Sequence, residues 1–164
     1  MPIEGIVQPE ILPVSDTVRL RRYDGNHEFA LAWYQDPDTV YLVDGVHVPY
    51  DAEKLGCMYR YLDLHGELYW IEQLRGGEFV PIGDVTFWQD DMPIVIGDPA
   101  CRGMGIGRQV IRALIARGRK LGYQIFRVQE IYRWNDASRR MFTACGFVQE
   151  GETAHGHSYT LTIR

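Results

Sequence analysis

A glycine-rich turn at residues 98–108 joins a short apolar segment to an amphipathic one and has the composition of an anion-binding loop. Its three glycines stand at alternate positions: Gly103, Gly105 and Gly107. Glycines let the backbone curl so that successive N–H groups point inward, and a helix starting here adds unpaired N–H groups with about half a positive charge. Arg102 and Arg108 contribute further positive charge. This combination suits a pyrophosphate.

The spacing within the turn excludes two common phosphate motifs. A Walker-type loop requires Gly-Lys-Ser/Thr, which does not follow here, and a dinucleotide fingerprint requires a third glycine where Arg108 stands. A turn with a purely structural role is the alternative to phosphate binding.

A second segment, residues 135–147, follows one strand later. The Asn135 amide could cap a helix or bind a ligand, whereas Met141 and Phe142 are typical core residues. The two segments together give the pattern Arg102-x-x-Gly105-x-Gly107 and, about 28 residues on, Asn135-x-x-Ser138-x-x-x-Phe142-x-x-x-Gly146-Phe147. This pattern resembles the GNAT superfamily of acyl-CoA-dependent N-acetyltransferases. The resemblance covers residues 79–150 by motif and the flanks by order of elements.

The resemblance implies that the protein is an N-acetyltransferase with acetyl-CoA as co-substrate. The family's fourth strand, which splays from the fifth, would bind the pantetheine arm, and the glycine-rich turn would wrap the pyrophosphate. The residues implied in coenzyme binding are Ile94, Val95, Ile96, Arg102, Gly103, Met104, Gly105, Ile106, Gly107, Arg108, Asn135, Ser138 and Arg139. Arg140 is the alternative to Arg139 near the adenosine phosphates. No metal is expected, because His155 and His157 lack a third ligand.

The reaction needs a proton acceptor, because an amine is protonated at neutral pH. Glu130 matches the position of a base glutamate in the ribosomal-protein N-acetyltransferase branch, and we expect apolar neighbours on its strand to raise its proton affinity. The alternative role for Glu130 is an anion that only binds substrate. The competing bases are Asp84, Asp98 and the pair Asp90-Asp91.

The proton donor departs from the family pattern. Phe142 stands where many members have a tyrosine that protonates the thiolate, and it cannot donate a proton. Tyr132 or water could take that role, or the thiolate could leave unassisted. Cys145 is expected to be a buried thiol, since no histidine partner is indicated. The expected catalytic residues are therefore Glu130, Tyr132 and Asp98.

The charge distribution divides the chain in two. Residues 1–97 contain 17 acidic and 6 basic side chains, whereas residues 98–164 contain 5 acidic and 11 basic ones. The acidic half contains aromatic residues near carboxylates, which suits a cationic amine; the carboxylates are Asp36, Asp38, Asp44, Asp51 and Glu53. We therefore expect a small aminoglycoside- or polyamine-like acceptor. The alternatives are a peptide or ribosomal-protein N-terminal acetyltransferase and a non-catalytic acyl-CoA-binding module.

Composition favours one soluble domain over residues 1–164. The chain is 46% apolar and 24% charged, has three scattered cysteines, and shows neither a membrane-length apolar run nor a signal peptide. We expect a cytoplasmic protein without nucleic-acid or membrane partners, because positive charge concentrates around one phosphate loop. The sequence also permits a homodimer.

The order of predicted elements gives an α/β fold, with a mostly antiparallel sheet, one parallel strand pair and helices on both faces. This is the three-layer architecture that the resemblance implies. Strands are predicted near residues 17–23, 67–74, 79–88, 93–96, 126–132, 147–150 and 157–163, and an extended piece at 41–43. Helices are predicted from a cap at Asn26 to just before Asp36-Pro37, and at 49–64, 105–121 and 136–144.

Overall fold

The computed structural model describes residues 1–163. The strands are β1 Ile11–Pro13, β2 Val18–Arg22, β3 Glu67–Arg75, β4 Glu78–Phe87, β5 Ile94–Ile96, β6 Ile125–Tyr132, β7 Val148–Glu152 and β8 Gly156–Thr162. The helices are α1 Pro37–Asp44, α2 Ala52–His65, α3 Ile106–Lys120 and α4 Asp136–Ala144, with 3₁₀ segments at Glu28–Gln35 and Pro99–Cys101. None of the helices in this part of the chain is long and apolar enough to cross a membrane.

The strands form two antiparallel sheets, ordered β1-β2-β3-β4-β5 and β6-β8-β7. The expected parallel pair, β5 with β6, is not confirmed as a ladder within residues 1–163. Instead, the segment before β5 runs beside β6 in the same direction. The Arg127 N–H donates to the Gln89 carbonyl at 3.0 Å and the Gln129 N–H donates to Asp91 Oδ1 at 3.3 Å. Beyond these contacts the two strands diverge, as the resemblance implied.

Helices cover both faces of the larger sheet, as predicted. On β3, successive side chains point to opposite faces and are all buried: Leu68 and Trp70 join one core cluster, Tyr69 and Ile71 the other. The first cluster contains residues of the 3₁₀ segment, α1 and α2, and the second contains the apolar faces of α3 and α4. A strand buried on both faces requires a covering layer on each side.

The extended piece predicted at residues 41–43 is wrong, because these residues lie in α1. Asp36 caps the helix by accepting the Asp38 N–H, Pro37 occupies the first turn, and Gly45 ends it in the left-handed conformation at φ 75°. These end signals outweigh the β propensity of Tyr41 and Val43. The predicted cap at Asn26 is also wrong, since the 3₁₀ segment begins after His27.

A buried carboxylate joins β4 to the helices of the first cluster. Asp84 is 2% exposed and accepts hydrogen bonds from the hydroxyls of Tyr34 at 2.7 Å and Tyr59 at 2.8 Å. Burial raises the pKa of Asp84 to about 6, although both hydroxyls act to lower it. The Asp84 carboxyl group therefore links the 3₁₀ segment and α2 to the sheet. Its ionised form is nevertheless disfavoured, because the core does not solvate a charge.

The raised pKa of Asp84 predicts a pH-dependent stability. A carboxyl group whose pKa is higher in the folded than in the unfolded state stabilises the fold at low pH, and this contribution is lost as pH rises through the folded value. Asp84→Asn removes this titration and keeps the shape. The free energy of unfolding of wild type relative to Asp84→Asn should be about 1 kcal/mol larger at pH 5 than at pH 7.5. Urea denaturation at both pH values measures the difference, and a constant difference would contradict the prediction.

Candidate active site

A cleft of about 760 Å³ lies where β5 and β6 diverge. The walls come from β5, the 101–108 loop, residues 128–132 of β6 and the first turns of α4. α1 closes another side with Thr39, Leu42 and Val43, which the sequence analysis missed because it did not predict this helix. Most of the expected coenzyme residues are thus brought together. Met104 and Arg139 are not among the lining residues, and Arg140 lines the cleft where Arg139 was expected.

The glycine-rich loop forms the start of α3. Gly105 precedes the helix with φ 78°, and no side chain of residues 1–163 caps the helix there. The first N–H groups of α3 therefore remain available to an anion beside the cleft. Gly107 has a different role, because a Cβ there would lie 2.5 Å from Met141 Sδ. Its missing side chain lets α3 and α4 pack closely.

Arg102 links the loop to α1. Its guanidinium donates from Nε to the Ile96 carbonyl at 3.0 Å and from Nη2 to Thr39 Oγ1 at 2.9 Å. Asn135 makes a comparable link, because its Oδ1 accepts the Ser138 N–H at 3.1 Å, capping α4, and its Nδ2 donates to the Leu42 carbonyl at 3.5 Å. Both predicted coenzyme ligands thus position α1 against the cleft.

Glu130 lines the cleft, but its electrostatics differ from the expectation. The Thr153 hydroxyl and the His155 N–H, the latter at 3.0 Å from Oε2, lower the pKa of Glu130 below its ordinary value. A register shift between Val128 and Ile131 explains the error. The extra residue on β6 breaks the alternation, so that Ile131 enters the core and Glu130 meets the 153–155 loop.

Four aromatic rings form a stacked column that ends at Tyr132, which lines the cleft. His47, Tyr41, Trp134 and Tyr132 stack in that order, with centroids 4.2, 4.8 and 4.8 Å apart. The Trp134 Nε1 donates to the Tyr41 carbonyl at 3.0 Å. Burial, and next the charges of Glu130 and Asp44, raise the pKa of Tyr132, so its phenol stays protonated at neutral pH and can donate.

The other candidate carboxylates lie in contrasting places. Asp98 is not among the residues lining the cleft; it pairs with Arg75 at 2.8 Å, and this contact lowers its pKa. Asp84 is enclosed in the core. Asp91 lines the cleft, and burial raises its pKa to about 6. The structure therefore places two of the proposed bases, Glu130 and Asp91, where a substrate could meet them.

Two of the five acidic residues expected at an acceptor site cap helices instead. Asp36 and Asp51 cap α1 and α2. Asp44 is the member placed near the cleft, where it accepts the Tyr50 hydroxyl at 2.8 Å and pairs with Lys54 at 3.2 Å. Phe142 is 3% exposed and packs edge-on against Phe147, as a core residue does. No group of three metal-ligating side chains occurs within residues 1–163.

Comparison with known proteins relates this fold to one family. The sequence model of the acetyltransferase (GNAT) family matches residues 23–147. A GNAT-family acetyltransferase from Bacillus anthracis superposes with a TM-score of 0.75 at 14% identity, covering 93% of this chain and 98% of that one. No curated protein matches the sequence significantly.

Two further solved structures are similar in fold. An acetyltransferase from Salmonella typhimurium, which modifies the N-terminal serine of a 50S ribosomal subunit protein, has a TM-score of 0.71 at 22% identity, covering 94% of this chain and 100% of that one. The aminoglycoside acetyltransferase AAC(6')-Ib, in complex with coenzyme A, has a TM-score of 0.70 at 15% identity, covering 89% of this chain and 95% of that one.

The open space beside Gly105 predicts how coenzyme binding can be blocked. Gly105→Asn keeps the left-handed backbone, which asparagine tolerates, and places a side chain beside Arg108 in the cleft. We expect coenzyme A affinity to fall at least about tenfold in calorimetric titration, because a close backbone contact is lost.

Gly122→Asn is the matched control. Gly122 also has a positive φ, 89°, with open space around it, but it does not line the cleft. Both variants should lose about 1 kcal/mol of stability, and only Gly105→Asn should lose affinity. Equal affinities would refute the loop assignment.

Proposed function

This chain belongs to the GNAT family of acetyltransferases and uses acetyl-CoA, and on that premise we propose that it acetylates a primary amine of a small cationic acceptor. The observation that carries the proposal is the carboxylate of Glu130, which lines the cleft beside the Tyr132 phenol and keeps its negative charge because its pKa is lowered. A carboxylate at this place attracts an ammonium ion. We also propose a cytoplasmic location, because the three cysteines of the described chain are free thiols, as is usual in that compartment.

The coenzyme would lie along the diverging strands. Within residues 1–163, β5 pairs with β4 alone, so its other edge faces the cleft and can pair with pantetheine amides as an added strand. Its pyrophosphate would lie at the start of α3, near Arg102 and Arg108. A backbone N–H of β5 is then the expected donor to the oxyanion that forms when the amine attacks.

Glu130 suits the binding of the acceptor better than proton removal. Its lowered pKa keeps it charged over the working range, and a weakly basic carboxylate accepts a proton poorly. Its negative charge can hold the acceptor ammonium beside Tyr132. The Tyr132 phenol, protonated at neutral pH, is the proposed donor to the departing thiolate. Asp98 has no part in this proposal, because it is engaged with Arg75 outside the cleft.

The acceptor class can be tested by measuring thiol release from acetyl-CoA over a panel of polyamines, aminoglycosides and peptides. We expect release with the small polycations and little with peptides. Preference for peptide amino termini would assign the chain to N-terminal acetylation instead. Binding of acetyl-CoA without release for any amine would indicate a non-catalytic acyl-CoA-binding module and overturn the proposal.

The charge of Glu130 predicts a selective effect on acceptor binding. Glu130→Gln keeps an oxygen for the His155 N–H and removes the charge. The KM of a cationic acceptor should rise about 10- to 100-fold, with kcat and acetyl-CoA affinity little changed, because a charge-assisted contact is lost.

Glu150→Gln, at an exposed position of β7, is the control and should leave KM unchanged. A fall of kcat by roughly a hundredfold or more, with loss of the acidic limb of the rate–pH profile, would instead make Glu130 the general base.

A further inference from the structure

Asp91 lines the cleft at the point where the chain before β5 meets β6. It ends the turn from β4, and its backbone pairs with Trp88 through two hydrogen bonds of 3.3 and 3.4 Å. Its Oδ1 accepts the Gln129 N–H of β6 and the Met92 N–H at 3.0 Å. Just beyond this point β5 and β6 separate, so the carboxylate stands at the apex of the opening that receives the thioester in the proposed function.

We propose that Asp91 is the general base of the reaction, taking a proton from the acceptor ammonium before the nitrogen attacks. The inference rests on the proposed function and adds a catalytic residue to it. Asp91 and Glu130 are the carboxylates that line the cleft among residues 1–163. Glu130 has its charge stabilised by Thr153 and His155, which leaves Asp91 to accept the proton.

The geometry fixes the Asp91 side chain. Two backbone N–H groups on adjacent segments hold Oδ1, which orients the carboxylate and leaves Oδ2 to accept the proton. A base held by backbone donors needs no reorganisation during the reaction. Met92 and Pro93 connect Asp91 directly to β5, the strand proposed to bind pantetheine. The proposed base and the thioester are therefore held by the same stretch of main chain.

The charged groups around Asp91 are few. Asp90 precedes it, with a side chain 63% exposed and Arg127 Nη1 at 4.0 Å, and Glu130 lies on the facing strand β6. Burial is the main cause that raises the pKa of Asp91 to about 6, the two N–H groups lower it, and the charge of Asp90 raises it. At pH 7 most molecules therefore have an ionised Asp91 that is a better base than an ordinary carboxylate.

The step balances without a further reactant. One ammonium proton passes to Asp91, and the freed nitrogen lone pair forms the bond to the acetyl carbon. The carbon–sulfur bond then breaks, with its electron pair going to sulfur. The second proton of the nitrogen reaches the sulfur through the Tyr132 hydroxyl, which donates one proton and accepts another. Asp91 returns its proton to solvent.

The wild-type rate–pH profile is the first test, because it needs no variant. If Asp91 is the base, the acidic limb of kcat/KM should have its midpoint near pH 6, following the pKa raised by burial. A limb below about pH 4.5 would point to Glu130, whose pKa is lowered, and would overturn the inference.

The variant Asp91→Asn keeps an oxygen for both backbone donors and cannot accept the proton. We expect kcat/KM at pH 7 to fall by roughly a hundred- to ten-thousand-fold, loss of the limb near pH 6, and unchanged acetyl-CoA affinity by calorimetry. Asp90→Asn is the matched control, because Asp90 is an exposed carboxylate that does not line the cleft. It should stay within about threefold of wild type and keep an acidic limb, moved to slightly lower pH because the charge of Asp90 raises the pKa of Asp91.

A chemical test separates catalysis from a structural role of Asp91. An acceptor amine whose conjugate acid has a pKa well below 7, such as an arylamine or a hydrazide, has no ammonium proton to remove at pH 7. The loss in Asp91→Asn should then shrink at least about tenfold relative to an alkylamine. Equal losses with both amines, or activity of the variant within threefold of wild type, would overturn the inference. The proposed function fails separately, if wild type releases no thiol with any amine.

Discussion

The divergence of β5 from β6 is the constraint on which the site depends. Two neighbouring strands that run in the same direction would ordinarily pair along their length, but here contact stops at Asp91 and Gln129. Backbone groups along the inner edges are thereby left facing a cleft, and buried backbone groups need partners. An extended ligand with amide groups can supply these hydrogen-bond partners, as an added strand would. The opening also gives an acceptor access to the space between the two sheets.

The two helical layers, one on each face of the strands, hold the cleft open from opposite sides. The layer of α3 and α4 packs on one face of the strands, and the missing side chain of Gly107 lets these two helices, whose first turns line the cleft, pack closely. The layer of the 3₁₀ segment, α1 and α2 packs on the other face, fastened at the core by Asp84 and at the cleft by Arg102 and Asn135. Segments of both halves of the chain, residues 1–97 and 98–164, thus line the cleft.

Three carboxyl groups show that the environment, more than the residue type, sets the direction of a pKa shift. Asp84 is enclosed with two phenols, and its raised pKa reflects desolvation. Asp91 is desolvated as well, yet one side remains on the cleft. Glu130 meets a hydroxyl and a backbone N–H from a neighbouring loop, and these donors stabilise its charge. Burial raises a carboxyl pKa and hydrogen bonds to the anion lower it, so the balance differs at each position.

The sequence by itself determined the order of most elements, the covering of both faces, the glycine-rich turn and the family, because these follow from local periodicity and fixed spacing. It did not determine α1, whose caps compete with β-rich residues, nor the phase of Glu130, which depends on a bulge against β8. Only the tertiary structure decided which carboxylate faces the cleft and which pairs elsewhere. Contacts such as Glu130 with His155, or Asp98 with Arg75, join residues more than 20 positions apart, and no local pattern encodes them.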